Sequence, residues 1–280
     1  MIFRKVAIIG VGLIGGSIAE ALKKKGLAET VVGIGHRASS IDEALNRGVI
    51  DKGTLDAAKG VSGADLVVIA TPVCLIPEVA GKISRFLKKG CVVTDVGSTK
   101  AEIVRALELL LPKGVDFVGS HPLAGSEKCG IKFAQQNLFK GSVVIMTKTK
   151  KTKISSLNKL SEFWKSLGVG RIAIKSPEEH DRIVAEISHL PHICAAAIVN
   201  TTSDRSLEFA SSGFKDTTRI AASDPDIWRD ICVTNRKQIV KTLARYERNI
   251  IRLKKLIKDG SSARLRKEFE RSKARREKLS

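Results

Sequence analysis

Aromatic residues and paired cysteines are scarce in this sequence. Phe, Trp and Tyr make up 4% of the residues, with a single tyrosine, so we do not expect a surface that binds nucleic acid by stacking bases on aromatic rings. The five cysteines are scattered and never spaced as C-x-x-C, which argues against a disulfide framework or a zinc site and favours the reducing cytoplasm. No apolar run approaches the roughly 20 residues needed to span a bilayer, so we expect no membrane partner.

The charge of the chain is strongly positive. Lys and Arg number 49 against 29 Asp and Glu, a formal net charge of +20, and basic residues dominate from Arg236 to the C-terminus. Such an excess can indicate nucleic acid, an anionic membrane or anionic small molecules as partners. Because Tyr246 and Phe269 are the only aromatic residues in this tail, we interpret it as a solvated helical face and expect no nucleic-acid partner.

Short apolar runs alternate with helical patterns from residue 6 to about residue 175. Runs rich in Val and Ile predict strands at residues 6–9, 31–34, 66–70, 91–94, 117–119, 143–146 and 171–174. This alternation predicts an α/β fold with a Rossmann-like, doubly wound parallel sheet. After Ser176-Pro177 the patterns are helical, with long helices predicted at residues 178–202 and 226–256 and a last basic helix. We therefore predict a Rossmann-like domain over residues 1–175 and an all-helical domain over residues 176–280, which completes its core by pairing with a second copy.

A glycine-rich turn, Gly10-Val11-Gly12-Leu13-Ile14-Gly15, follows the first predicted strand and opens a helix. The first glycine of such a turn permits a tight bend, the second lets the backbone approach a pyrophosphate, and the third lets the helix pack closely. The helix N-terminus then faces the phosphates. The sequence therefore predicts a dinucleotide site, and we expect Thr71 and Pro72, which follow the third predicted strand, to lie beside the cofactor.

The end of the second predicted strand indicates which dinucleotide is bound. An acidic residue there would bind the ribose 2′-hydroxyl of NAD, but this chain has Gly35-His36-Arg37-Ala38-Ser39-Ser40. Arg37 with the serines can hold a 2′-phosphate, and the carboxylate that would repel the phosphate is missing, so NADP is favoured over NAD. In the alternative interpretation, Asp42 or a backbone group binds the ribose of NAD, and Arg37 is solvated.

A histidine lies about a hundred residues behind the glycine turn, in Gly119-Ser-His-Pro-Leu-Ala-Gly-Ser-Glu-Lys-Cys-Gly130. Imidazole has an unperturbed pKa suited to proton transfer near neutrality, so His121 is a candidate general base. We expect it on one loop with Ser126 and Glu127. The plainer interpretation is a solvated histidine on a surface turn.

Taken together, these motifs resemble the prephenate/arogenate dehydrogenase family of tyrosine biosynthesis. The similarity covers nearly the whole chain and is carried by residues 10–17, 95–100, 121–130, 188–192, 213–220 and 223–230. The resemblance implies oxidative decarboxylation of prephenate to 4-hydroxyphenylpyruvate with NAD(P)+, or, alternatively, of arogenate to tyrosine. It also implies a cytoplasmic homodimer whose first domain binds the dinucleotide and whose helical domain binds substrate and dimerises.

The resemblance also implies roles for individual residues. In this family the histidine matching His121 bonds the substrate hydroxyl as base, and the serine matching Ser98 orients it. The histidine matching His192 positions the substrate, and the arginine matching Arg219 pairs with a substrate carboxylate, which suits its bidentate fork. Further substrate contacts are implied for Ser126, for Glu127 as a gating or polar-network acid, and for Trp228, reached across the dimer.

Other interpretations remain open at this point. Ser98 could cap a helix, Arg219 could be solvated, and His189 with His192 could form a metal pair, although no third ligand is evident and we predict no metal. A β-hydroxyacid dehydrogenase of the same architecture would use a lysine base, whereas this chain has His189-Leu-Pro-His192. A non-catalytic, dinucleotide-sensing protein that binds nucleic acid through its basic tail would have no need of the histidine, serine and arginine set.

Overall fold

In the computed structural model, which describes residues 2–125, 128 and 130–279, strands and helices alternate up to Lys175 and helices follow. The strands are β1 (Phe3–Ile9), β2 (Ala28–Ile34), β3 (Lys52–Thr54), β4 (Leu66–Ile69), β5 (Val92–Asp95), β6 (Asp116–Phe117), β7 (Ser120–Leu123), β8 (Val143–Thr147) and β9 (Arg171–Lys175). The helices are α1 (Leu13–Lys24), α2 (Ala38–Asn46), α3 (Ala57–Val61), α4 (Ile76–Ile83), α5 (Ala101–Leu110), α6 (Ile154–Ser166), α7 (Pro177–Val184), α8 (Leu190–Thr201), α9 (Asp204–Leu207), α10 (Ser212–Thr218), α11 (Pro225–Thr234), α12 (Arg236–Lys258) and α13 (Ser262–Glu277).

The main sheet has the strand order β3-β2-β1-β4-β5-β6, with every pair parallel. This is the order of a doubly wound dinucleotide-binding fold, so the predicted Rossmann-like sheet is confirmed. Ile9 pairs with both Ile34 and Ile69, and Ile69 pairs with Asp95. The loops that follow these four strands therefore leave the sheet at the same edge.

Both faces of the sheet are covered, which explains why its strands are almost continuously apolar. Val6 and Ile8 of β1 pack with α1, α2 and α6 on one face. Ala7 and Ile9 alternate with them and pack with α3, α4 and α5 on the other face. Each fully buried Val or Ile side chain contributes about 1.5–3 kcal/mol by leaving water.

A second sheet of three strands departs from the predicted purely parallel arrangement. Its order is β7-β8-β9, with β7 antiparallel to β8 and β8 parallel to β9. The strand predicted at residues 117–119 is thus wrong, since this region divides into β6, which ends the main sheet, and β7, which begins the second. The sequence prediction also missed β3 and α3, because β3 has only three residues, none of them buried.

The helix predicted after Ser176-Pro177 is confirmed. Ser176 and Glu179 form a reciprocal capping box at its start, and α7 continues through a π-helical turn (Ala185–His189) into α8. The helix predicted at residues 226–256 is wrong as a single element, because α11 ends before Asn235 and α12 begins after it. The Asn235 side chain turns inward and donates to the Asp181 carbonyl oxygen at 2.8 Å, which places a residue of the junction in the interior.

The combined helix Pro177–Thr201 is long and apolar enough to cross a membrane by length and composition, and its most apolar window of 18 residues has a mean hydropathy of 1.3. It is the one such helix among the described residues, and 28% of its most apolar window is buried. The expectation that no run approaches this length is therefore wrong for this segment.

The chain divides into two compact units after Arg236. Within the second unit, the Arg252 guanidinium of α12 donates to both oxygens of Glu268 on α13, at 2.7 and 2.6 Å. The boundary predicted between residues 175 and 176 is a division by secondary-structure type and stays a prediction.

Candidate active site

The glycine turn has the geometry that a pyrophosphate requires. Gly10 has φ +97°, and a Cβ there would lie 2.5 Å from the Ala70 carbonyl oxygen; a Cβ on Gly15 would lie 2.0 Å from the Gly10 oxygen. A Cβ on Gly12 would meet nothing within 4 Å, so the backbone there is open to a ligand. Gly12 is also the N-cap of α1 and makes no side-chain cap. The turn therefore fits a dinucleotide phosphate at an uncapped helix N-terminus.

The other residues expected to contact the cofactor lie at the same edge. Leu13 and Ile14 are half-buried in the first turn of α1. Thr71 and Pro72 follow β4, where the Ala70 amide donates to the Ile9 carbonyl oxygen at 2.7 Å. The Thr71 hydroxyl oxygen is buried and has no hydrogen-bond partner among the described residues, as expected of a polar group that faces a ligand.

The residues expected at the ribose 2′ position follow β2. His36, Arg37 and Ser39 are exposed, and Arg37 is the N-cap of α2. The first turn of α2 contains no acidic residue, and Asp42 lies one turn further along the helix. This helix N-terminus therefore carries a cation and no competing carboxylate in its first turn, a favourable setting for an anion.

A cavity of about 720 Å³ adjoins the dinucleotide edge. Its lining includes five of the residues predicted to act in chemistry or substrate binding: Ser98, His121, His192, Arg219 and Trp228. It also includes Gly125, where an added Cβ would lie 3.7 Å from the Ile14 side chain. The cavity and the glycine turn are thus neighbours. Ser126 and Glu127 lie outside the described residues.

His121 lies in strand β7 and not on a loop, which corrects the sequence prediction. It pairs with Ile145 of β8 and is only 8% exposed, so it is not the solvated histidine of the plainer interpretation. Burial, reinforced by His180 and then by the charge of Lys100 and by His189, holds the pKa of His121 well below 6.5. The imidazole is therefore neutral at physiological pH and able to accept a proton.

The sequence interpretation missed a buried network behind His121. His121 Nδ1 lies 2.8 Å from His180 Nε2, and His180 Nδ1 lies 2.8 Å from Asp181 Oδ1. The only sequence signal was an adjacent His–Asp pair in the first turns of α7. Nearby, the Lys100 ammonium forms a fully buried ion pair with Asp95. Burial lowers the pKa of Lys100 and raises that of Asp95, while their mutual attraction opposes both shifts.

The π-helical turn helps to shape the cavity, because it is followed immediately by α8 and changes the helical register. His192 stacks on Trp228 with ring centroids 3.4 Å apart and planes 13° apart. Trp228 thus reaches the cavity from the same chain, which corrects the expected approach across a dimer. His189 instead bonds through Nδ1 to the Asn235 amide at 3.2 Å, so the two histidines are engaged separately and not as a metal pair.

Burial lowers the pKa of both His189 and His192 to about 4. His192 Nδ1 is buried without a hydrogen-bond partner among the described residues. Ser98 is half-buried in the loop between β5 and α5, and Arg219 is exposed at the start of the 3₁₀ turn that follows α10. The cavity thus combines neutral imidazoles, a hydroxyl and a guanidinium, a set suited to an anionic substrate with a hydroxyl group.

Comparison with known proteins identifies the family. A family model described as the prephenate dehydrogenase nucleotide-binding domain matches residues 18–173, and one described as the prephenate dehydrogenase dimerization domain matches residues 176–271. The chain is 35% identical to a prephenate dehydrogenase of Bacillus subtilis, over 98% of this chain and 76% of that protein.

Two crystal structures share the fold over nearly the whole chain. Prephenate dehydrogenase of Aquifex aeolicus, in complex with hydroxyphenyl propionate and NAD+, has 35% identity and a TM-score of 0.92, covering 99% of this chain and 98% of that chain. Synechocystis arogenate dehydrogenase has 29% identity and a TM-score of 0.85, covering 99% and 100%. The resemblance inferred from the sequence motifs is confirmed, and the chain belongs to the prephenate dehydrogenase family of oxidoreductases.

Proposed function

We propose that this protein is a prephenate dehydrogenase, which oxidises prephenate to 4-hydroxyphenylpyruvate and carbon dioxide with NAD(P)+. The observation that carries this proposal is the buried, neutral His121 in a cavity that also contains Arg219 and adjoins the glycine turn. A base, an anion-binding group and a dinucleotide site are the three features that the reaction demands.

The cavity offers groups for the hydroxyl, for one carboxylate and for the ring of the substrate. Prephenate carries a ring hydroxyl and two carboxylates. His121 accepts the hydroxyl proton, and Ser98 orients the hydroxyl by hydrogen bonding. Arg219 pairs with a carboxylate, while His192 and the Trp228 ring stacked on it position the ring of the substrate.

The glycine turn holds the cofactor, with Gly10, Gly12 and Gly15 at the pyrophosphate and Thr71 and Pro72 beside the nicotinamide. When bound there, the nicotinamide supplies a hydride acceptor. As the carbon that bears the hydroxyl loses hydride and His121 takes the hydroxyl proton, the ring carboxylate leaves as carbon dioxide, and the phenolate oxygen that this loss creates takes the proton back from His121. Aromatisation of the ring drives this loss, so the protein need not supply a separate electron sink.

Arogenate, with an amino group in place of the keto group of the side chain, is the second candidate substrate. It is favoured by the similarity to Synechocystis arogenate dehydrogenase. Initial rates measured with prephenate and arogenate, each with NAD+ and NADP+, test the proposal. Efficient turnover of prephenate supports it, a preference for arogenate favours the second candidate, and the absence of turnover with both substrates contradicts both.

For the cofactor, we propose a preference for NADP over NAD. The protein of Aquifex aeolicus is described in complex with NAD+, so this proposal rests on the residues at the end of β2 in the present chain. Arg37 stands at the N-cap of α2, with His36 and Ser39 beside it and no acidic residue in the first helical turn.

Replacing Arg37 with alanine is expected to lower kcat/KM for NADP by about tenfold or more and to spare NAD, because a charged contact to the 2′-phosphate is lost. The measurement is the ratio of kcat/KM for the two dinucleotides. Arg85→Ala, which removes an exposed arginine that stacks on Phe86, is the matched control and should leave the ratio unchanged. Equal losses with both dinucleotides would remove the argument for a phosphate contact.

We propose that the protein is a cytoplasmic homodimer without a nucleic-acid or membrane partner. Apolar side chains are exposed within the region matched by the dimerization-domain model: Ile187 is 59%, Ile198 37% and Phe209 81% exposed. A second copy that covers these side chains also accounts for the apolar helix Pro177–Thr201. The free thiols of Cys74, Cys91, Cys194 and Cys232 are consistent with a reducing compartment.

Light scattering coupled to gel filtration is expected to give twice the chain mass of 30.3 kDa. Introducing Ile198→Glu together with Phe209→Glu should yield a monomer, because two charges would be buried without partners. Leu109→Glu, at an apolar side chain 76% exposed outside the matched region, should leave the dimer intact. A monomeric wild type, or a dimeric double variant, would argue against this interface.

A further inference from the structure

We propose that His180 and Asp181 are positioning residues, which fix the tautomer and orientation of His121 through a relay of hydrogen bonds from His121 to His180 to Asp181. The geometry of the relay stands independently, while its effect on turnover rests on the proposed function.

The direction of the relay is set at Asp181. Its Oδ1 accepts from the Lys100 amide at 2.7 Å, and its Oδ2 accepts from the Ala101 amide at 2.9 Å. Burial raises the pKa of this carboxyl, while the two amides and the Lys100 charge oppose that shift. Because these amides begin α5, the helix dipole also favours the carboxylate. Asp181 is therefore an acceptor only, and His180 must donate its Nδ1 proton to it.

His180 transmits this direction to His121. It is fully buried, and burial with the nearby Lys100 charge and His189 holds its pKa well below 6.5. A neutral imidazole carries one proton. Since that proton lies on Nδ1, His180 Nε2 accepts, and His121 must donate from Nδ1. His121 is neutral as well, so its Nε2 is left unprotonated, which is the state that a base requires.

The relay is held at both ends by the fold. His121 is fixed by the β7–β8 pairing, and Asp181 is fixed by the start of α5 and by Asn235, which donates to its carbonyl oxygen. Among the described residues, the titratable groups whose charges lower the pKa of His121 are His180, Lys100 and His189. None of them offsets a positive charge on His121. The carboxylate at the far end of the relay does so, as in other sites where a buried acid stabilises an imidazolium.

The plainer alternative is that His180 and Asp181 only join α7 to α5. The two interpretations differ in the proton position on His121, which nitrogen NMR of the histidine side chains reports in the intact protein. Wild type is expected to carry the proton on Nδ1, with the signals assigned by their loss in His121→Asn. His180→Gln should keep this tautomer, because its amide can donate to Asp181 and accept from His121. His180→Phe, which can do neither, should lose it.

Kinetics supply the second readout. His180→Phe is expected to lower kcat at least about tenfold, with KM values changed by less than about twofold, whereas His180→Gln should recover much of the loss. Asp56→Asn, at the capping carboxylate of α3, is a control for altered helix capping and should leave kcat unchanged. A proton on Nε2 in wild type or in His180→Gln overturns the relay, even if His180→Phe does not fold. A His180→Phe variant that folds and has a normal kcat also overturns the relay.

The two proposals fail in distinguishable ways. If NMR shows the proton on Nδ1 of His121 but the protein turns over neither prephenate nor arogenate, the proposed function is refuted and the relay is still supported. Turnover with the proton on Nε2 of His121 refutes the relay alone.

Discussion

Replacing His121 with asparagine is expected to lower kcat by roughly 10²–10⁴-fold, the usual contribution of a general base. Asparagine keeps a hydrogen bond to the substrate hydroxyl but cannot accept its proton. Dinucleotide affinity, measured by fluorescence titration, should change little, because the glycine turn is untouched. That titration also serves as the control for folding.

The pH profile gives the same prediction a second test. The base acts in its neutral form, and burial keeps the pKa of His121 well below 6.5. The neutral form therefore persists as pH falls through 6.5, and kcat/KM should remain level there and decline only at lower pH. Near-normal kcat in His121→Asn with an unchanged profile would refute the assignment of the base and the mechanism derived from it.

Replacing Arg219 with alanine is expected to raise KM for prephenate by roughly 10–100-fold, with a smaller effect on kcat. A carboxylate clamp acts on the bound substrate and on the transition state alike, so its loss weakens binding more than it slows the chemical step. Arg219→Lys should recover part of the loss, because lysine keeps the charge and lacks the bidentate fork.

Arg229 offers a matched control for Arg219. It is an exposed arginine on α11 that pairs with Asp226 and Asp230 and does not line the cavity. Arg229→Ala should leave KM within about twofold of wild type. A large fall in kcat without a rise in KM for Arg219→Ala would indicate a role in the chemical step in place of substrate binding.

Local sequence patterns predicted the glycine turn and its place between β1 and α1. The glycine turn depends on residues that are adjacent in the chain, and its positive φ at Gly10 and open backbone at Gly12 are properties of the turn itself. The apolar strands followed in the same way, because a sheet covered on both faces requires continuous Val and Ile. The sequence did not predict short or polar elements such as β3 and β7. Three or four residues that include Lys, Ser or Pro do not show the alternation of apolar and polar side chains that is typical of a strand.

The substrate half depends on contacts between distant segments, which a single sequence does not reveal. His180 and Asp181 lie about sixty residues beyond His121, and β7 must pair with β8 before they meet. The break at Asn235 has the same origin, because its side chain bonds to groups on α7 and the π-helical turn. Trp228 was expected from a partner subunit because only the three-dimensional fold places α11 beside α8 within one chain.

The buried histidines also link the stability of the protein to acidity. His121, His180, His189 and His192 are each less than 9% exposed, and each has its pKa lowered in the folded state. Below pH 6.5 the unfolded chain binds protons that the folded chain resists, so the free energy of unfolding falls with pH by up to about 1.4 kcal/mol per histidine per unit. Burial keeps the base neutral and therefore also makes the native state less stable in acid. Protonation of these imidazoles at low pH lowers both the activity and the free energy of unfolding.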